Sequence, residues 1–250
     1  MATIGIFDSG SGGLSVYREI KKILPRERYI YFADNAHCPY GEKSAAYVQE
    51  RSRTVTEILL GLGADIIVVA CNTATAAAIA TLRGEYPSVP FIGMEPAVKP
   101  AALGTKSGVV GVLATAGTLK GSKYLKTRGM YASGVKIEEH VGEGFVELVE
   151  AGKLDGEEVE ETVRKSLLPL LDAGADTIVL GCTHYPFLMP VIQRIAGPSV
   201  QVIDPAPAVA RQTARVLQER GIETGSGAFS IDLYHSGEPD SLGRLLPLVS

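Results

Sequence analysis

The chain has 250 residues, 46% of them hydrophobic and 21% charged, with 28 Gly, 14 Pro and no Trp. This is enough ordinary globular sequence for a sizeable core in one large domain or two small ones, and it excludes collagen, coiled coil and global disorder. A net charge of −4 offers no basic field for nucleic acid or an anionic membrane, and three cysteines are an odd count for a secreted disulfide framework, so a reduced, cytoplasmic protein is expected.

The start, MATIGIFDSGSGG, has neither the basic region nor the long apolar stretch of a signal peptide. IGIF (4–7) reads as a strand running into the turn DSGSGG (8–13), followed by Leu14, Tyr17, Ile20, Ile23 and Leu24 at helical spacing. YIYFA (29–33) meets DNAHCPYG (34–41), then a helix from Lys43 to about Leu62. DIIVVA (65–70) meets CNT (71–73) and an Ala-rich helix, and FIGM (91–94) meets Glu95-Pro96. The pattern then restarts. SGVVGVLA (107–114) meets TAGT (115–118) and a helix; VKIEE (135–139) is a strand, with helices expected at about 143–151 and 156–173. DTIVLG (176–181) meets CTHYP (182–186), and VQVI (200–203) meets DPAP (204–207) before a helix to about Arg220. The tail supplies one more strand, 228–237, and a helix, 241–249. Strands alternating with helices predict parallel sheets covered on both faces, with Pro96 and Pro205 at first helical positions.

The two halves match. GADIIVVAC (63–71) and GADTIVLGC (174–182) share six of nine residues at an offset of 111. IGMEPA and VIDPA repeat at an offset of 109, and IGIFDSGSGG and VGVLATAGT at 106. An internal duplication is expected, giving two similar parallel-sheet α/β domains with the active site in the cleft between them, at the carboxyl ends of the strands.

Cys71 and Cys182 fall in register, each after a buried strand and before a helix, where backbone N–H groups and the helix dipole favour a thiolate. Small buried cysteines are common, but two at equivalent turns, each followed by hydroxyl and amide residues, point to function. Two thiols facing one carbon suit racemisation, which needs a base and an acid of similar basicity on opposite faces. Asp8 and Ser9 open a Gly-rich turn that can approach a ligand closely. It is not a dinucleotide loop, because Ser15 stands where G-x-G-x-x-G requires glycine, and no P-loop is present. His184 can assist Cys182. A zinc site at His37, Cys38, Cys71 and Cys182 finds no standard spacing, so no metal is expected, and Cys38 reads as structural. Tyr40-Gly41 closes a turn. Glu150 reads as one more helix-surface charge.

These residues resemble the bacterial glutamate racemases of the aspartate/glutamate racemase superfamily. The resemblance spans nearly the whole chain through IGIFDSGSGGL, DNAHCPYGEKS, ACNTATA, GMEPAVKPA, GVLATAGT and LGCTHYPFL, with His37 where relatives often carry Arg. It implies a cofactor-independent enzyme that interconverts L- and D-glutamate and supplies D-glutamate for peptidoglycan. It implies Cys71 and Cys182 as the two bases, supported by Asp8 and His184. Substrate contacts carried over are Asp8, Ser9, Tyr40, Gly41, Asn72, Thr73, Thr183 and His184, with Glu150 and Asp34 as weaker carboxylate candidates. It implies domains at 1–96 plus 208–250 and at 97–207, and a homodimer. Aspartate, hydantoin or arylmalonate-type substrates and a purely ligand-binding bilobed protein are the alternatives.

Overall fold

The computed structural model describes residues 1–131, 134–238 and 240–249. The first half runs β1 (Thr3–Asp8), α1 (Leu14–Ile23), β2 (Arg28–Ala33), α2 (Ala45–Gly61), β3 (Ile66–Val69), α3 (Asn72–Glu85) and β4 (Phe91–Gly93). The second runs α4 (Val98–Gly104), β5 (Val109–Ala114), α5 (Ala116–Leu119), α6 (Ser122–Tyr131), β6 (Lys136–Val141), α7 (Phe145–Glu150), α8 (Glu157–Asp172), β7 (Thr177–Gly181), α9 (Met189–Ala196) and β8 (Gln201–Ile203). The chain ends with α10 (Ala206–Glu219), β9 (Ser230–His235) and α11 (Asp240–Leu245).

Two sheets form, ordered β4-β3-β1-β2-β9 and β8-β7-β5-β6. Every pairing is parallel. Matching β1 to β5, β2 to β6, β3 to β7 and β4 to β8 superposes the two orders, which is what a duplicated unit produces. β9 is the addition: the chain returns from the second sheet through α10, which packs on α1, and lays β9 beside β2. The central strands read as continuous apolar runs because helices bury both faces; β1, β3 and β7 are buried at every residue.

Local signals set the helix ends. Ser44 caps α2 by accepting from the Tyr47 N–H at 3.2 Å. Three glutamates in the first turn of α8 complement its dipole. Gly144, at φ +79°, makes the left-handed turn from which α7 starts. The prolines differ from expectation. Pro205 is the N-cap of α10, where Asp204 Oδ1 accepts from the Ala206 N–H at 2.8 Å and fixes the turn, and Pro96 precedes the cap of α4.

Gly84 lies in α3 with open space where a side chain would stand. Gly84→Ala is therefore expected to stabilise the protein by about 0.5–1 kcal/mol, read as a rise in the urea midpoint, since only backbone entropy changes.

Candidate active site

The loops at the carboxyl ends of β1, β3 and β7 meet. Asp8, the last residue of β1, is fully buried, and its Oδ2 accepts from the N–H of Gly13 at 3.0 Å and of Gly10 at 3.3 Å. Its other oxygen, Oδ1, accepts from the Thr183 hydroxyl at 3.4 Å. The charge of Asp8 also bears on the Cys71 thiol. One carboxylate thus contacts the turn that carries Cys182 and is coupled electrostatically to Cys71. Ser15 joins the loops after β1 and β7, its hydroxyl lying 2.8 Å from the Gly12 carbonyl and 2.9 Å from that of Thr183.

Cys71 is the N-cap of α3. Its Sγ accepts from the Ala74 N–H at 3.5 Å and lies 3.9 Å from Ser9 Oγ. Cys182 differs from expectation, because a 3-10 turn, Tyr185–Leu188, separates it from α9. Its partner is instead His184, whose Nδ1 is 3.7 Å from Cys182 Sγ. The far ring nitrogen, Nε2, pairs with Glu150 Oε1 at 2.6 Å, and that oxygen also accepts from the Ser11 N–H at 2.7 Å. Glu150, which its helix pattern marks as a surface charge and the resemblance gave only as a weaker carboxylate candidate, is an integral part of the cluster. The helix pattern of 145–150 hides this, since α7 shows one face to the core and its last residue to the β1 loop.

Both thiols are almost sealed from water, at 5% exposure for Cys71 and 6% for Cys182. Sealing has an electrostatic consequence opposite to the expected thiolate. Burial, and then the charge of Asp8, push the Cys71 thiol well above its ordinary value and outweigh the Ala74 N–H. Burial raises Asp8 too, against the pull of His184. Burial alone would discharge His184, but the hydrogen bonds to Cys182 and Glu150 prevail and hold it well above the ordinary imidazole range. Burial pushes Glu150 up, yet His184 carries it down to about 2. The structure thus sets a buried Cys71–Asp8 side, where burial disfavours charge, against a His184–Glu150 ion pair beside Cys182.

Asn72 follows Cys71, and both atoms of its buried side-chain amide lack a hydrogen-bond partner. Such an amide costs roughly 1–3 kcal/mol unless a ligand completes it. Thr73 bridges the sheets: its Oγ1 is 2.8 Å from Thr115 Oγ1 and 3.4 Å from Thr118 Oγ1. Gly41 packs on Thr115, where a Cβ would lie 3.0 Å from the threonine Cβ. Thr115 and Thr118 were missed in the sequence, although they occupy the turn equivalent to DSGSGG. A cavity of about 330 Å³ opens between the sheets, walled by Gly41 and Glu42 on one side and by Thr115, Gly142 and Tyr185 on the other.

Tyr40 and Asp34 form a separate unit. The Tyr40 hydroxyl donates to Asp34 Oδ2 at 2.5 Å, and Arg51 grips the same carboxylate at 2.8 and 3.0 Å. The Tyr40 hydroxyl is thus already committed. His37 pairs with the Tyr47 hydroxyl at 2.5 Å, at the surface.

Burial pushes Asp34 up, but Arg51 and Tyr40 bring it below its ordinary value. A depressed carboxylate stabilises the fold above its unfolded value of about 3.9 and loses that contribution as pH falls through the lower folded value. Arg51→Met is expected to cost about 1.5–3 kcal/mol at pH 7. In urea titrations the gap to the wild type should close in strong acid, where Asp34 is protonated in every state.

The chain matches the Asp/Glu/Hydantoin racemase family over residues 4–213. It is 49% identical to the glutamate racemase of Ectopseudomonas mendocina (strain ymp), covering 99% of this chain and 94% of the relative. The Escherichia coli glutamate racemase, solved in complex with L-glutamate and the activator UDP-MurNAc-ala, superposes with a TM-score of 0.87 at 36% identity, over 99% of this chain and 94% of that one. The Francisella tularensis glutamate racemase, solved with D-glutamate, gives 0.84 at 28% identity, over 98% and 94%.

Proposed function

Because the chain belongs to the Asp/Glu/hydantoin racemase family, we propose that it interconverts L- and D-glutamate by two-base proton transfer at Cα between Cys71 and Cys182. The observation that carries this reading is the placement of two buried thiols on equivalent loops of two like sheets, with Asp8 hydrogen-bonded to the Cys182 loop and electrostatically coupled to Cys71. One thiol starts as thiolate and takes the Cα proton. The other, on the opposite face, gives its S–H proton to the carbanion. The two have then exchanged states, and the reverse reaction starts from the product state without further proton traffic.

The resting charges suit this division. Cys71 is held as a thiol, ready to donate. The imidazolium of His184 lies against Cys182 and can stabilise it as thiolate. An arriving α-ammonium group would bring positive charge beside Asp8 and Cys71 and favour their ionised forms, which allows the opposite direction. Asn72, Thr73, Thr183, Ser9 and backbone groups near Gly41 are the neutral donors for the two carboxylates, and in a dry site they stabilise the charge that develops on the α-carboxylate. No cofactor enters these steps.

With both thiols sealed, the substrate enters by separation of two bodies, which we place at 1–96 plus 208–250 and at 97–207; strand membership of the sheets and the packing of α10 on α1 support that division. Supply of D-glutamate for peptidoglycan by a cytoplasmic homodimer completes the reading. No helix among the described residues is long and apolar enough to cross a membrane. The test is a chirality-resolved assay of metal-free, cofactor-free protein. L-glutamate is expected to racemise and, in D₂O, to gain one deuterium at Cα, with L-aspartate converted far more slowly. Glutamate binding without Cα exchange would leave only a binding protein.

A further inference from the structure

Cys38 takes no part in the proton transfers, yet it is not isolated. Its Sγ, a Glu150 carboxylate oxygen and a His184 ring nitrogen all lie within 4.8 Å of one another. Two of them converge on Gly10, where a Cβ would stand 2.2 Å from Glu150 Oε1 and 3.2 Å from Cys38 Sγ. Cys38 and Glu150 also line a groove of about 350 Å³ open to solvent. Glu147, Glu238 and Asp240 line it as well, with Arg244 as its one cation among the described residues. The cluster therefore has an acidic entry path that concentrates cations.

We propose that Cys38, His184 and Glu150 form an inhibitory binding site for a zinc-like divalent cation. Thiolate, imidazole and carboxylate are the donor types zinc takes, and three of them leave the fourth tetrahedral position to water from the groove. A hard cation such as Mg²⁺ gains nothing from the sulfur, so the site discriminates by chemistry. On binding, the Cys38 S–H proton and the proton on the His184 nitrogen facing Glu150 pass to solvent, and bonds from the cation to sulfur, nitrogen and oxygen replace them. No electron is transferred. The short approach of His184 to Glu150 opens by the small displacement needed to seat the ion. A metal-bound His184 is no longer the imidazolium beside Cys182, so occupancy stops turnover.

The binding is independent of the racemase reading; only the inhibition rests on it, and the two are measured separately. Metal-stripped protein is titrated with Co²⁺ without substrate, then with Zn²⁺ by calorimetry. One equivalent per chain is expected, with a thiolate-to-cobalt charge-transfer band. Cys38→Ser should abolish the band and weaken Zn²⁺ binding about tenfold or more, while keeping metal-free racemisation and escaping Zn²⁺ inhibition. Cys71→Ser should keep the band. A band that survives Cys38→Ser and vanishes in Cys71→Ser would place the cation between the reacting thiols and overturn the proposal. So would the lack of stoichiometric binding, or equal Zn²⁺ inhibition of Cys38→Ser and wild type.

Discussion

Cys71→Ser and Cys182→Ser are each expected to lower glutamate racemisation in both directions by roughly 10²–10⁴-fold or more. A serine hydroxyl keeps the size of the site but is far less acidic than a thiol, so it neither takes the Cα proton nor returns one at neutral pH. Because racemisation uses both faces in every turnover, one intact thiol does not preserve a direction. Binding should be largely spared, since the donors at Asn72, Thr73 and Thr183 remain, and the loss should fall on kcat with KM changed little. The partial reaction separates the thiols. Each variant retains one potential base, so slow exchange of Cα–H with solvent from a single enantiomer can persist, and the enantiomer should differ between the two. Normal turnover of L-glutamate by both variants would dismiss the two-thiol mechanism.

Gly12→Ala is expected to lower kcat/KM by about 10²-fold, through position alone. A Cβ at Gly12 would stand 2.4 Å from His184 Nδ1 and 2.6 Å from two ring carbons. The ring is fixed on its other sides by Cys182 and Glu150, so it has to leave the line between them. Overpacking of this kind costs about 1–3 kcal/mol of stability, which leaves a folded protein. The expected signature is a modest drop in thermal midpoint with a large drop in kcat, and the exposed-helix change Gly84→Ala serves as the control that alters a glycine without touching the site. Wild-type activity in Gly12→Ala would mean that the ring can move freely, and that its alignment between Cys182 and Glu150 is not needed for the reaction.

The predicted elements matched where the signal was local. The apolar runs ending in Asp8, Cys71 and Gly181-Cys182 became β1, β3 and β7, because a strand buried on both faces must be apolar throughout. Helices were expected after Pro96 and after Cys182 without bounds; α4 starts only at Val98, past its cap Ala97, and α9 only after the 3-10 turn Tyr185–Leu188. The thiolate expected at Cys71 was drawn from its helix cap alone. It reversed because desolvation and a neighbouring carboxylate, which depend on everything packed around the sulfur, outweigh one N–H.

The sequence by itself determined the alternation of strand and helix, the repeat of its two halves and the positions of the two thiols after equivalent strands. Each of these follows from neighbours within a turn or two, or from comparison of the chain with itself. Tertiary structure alone decided that Glu150 meets His184 and Ser11, that Thr73 meets Thr115 and Thr118, and that Arg51 and Tyr40 share Asp34. Contacts such as Ser11 to Glu150, 139 residues apart, have no local signature. They exist because two sheets set their carboxyl ends against each other, and only that packing selects which polar side chains are left buried with one another as partners.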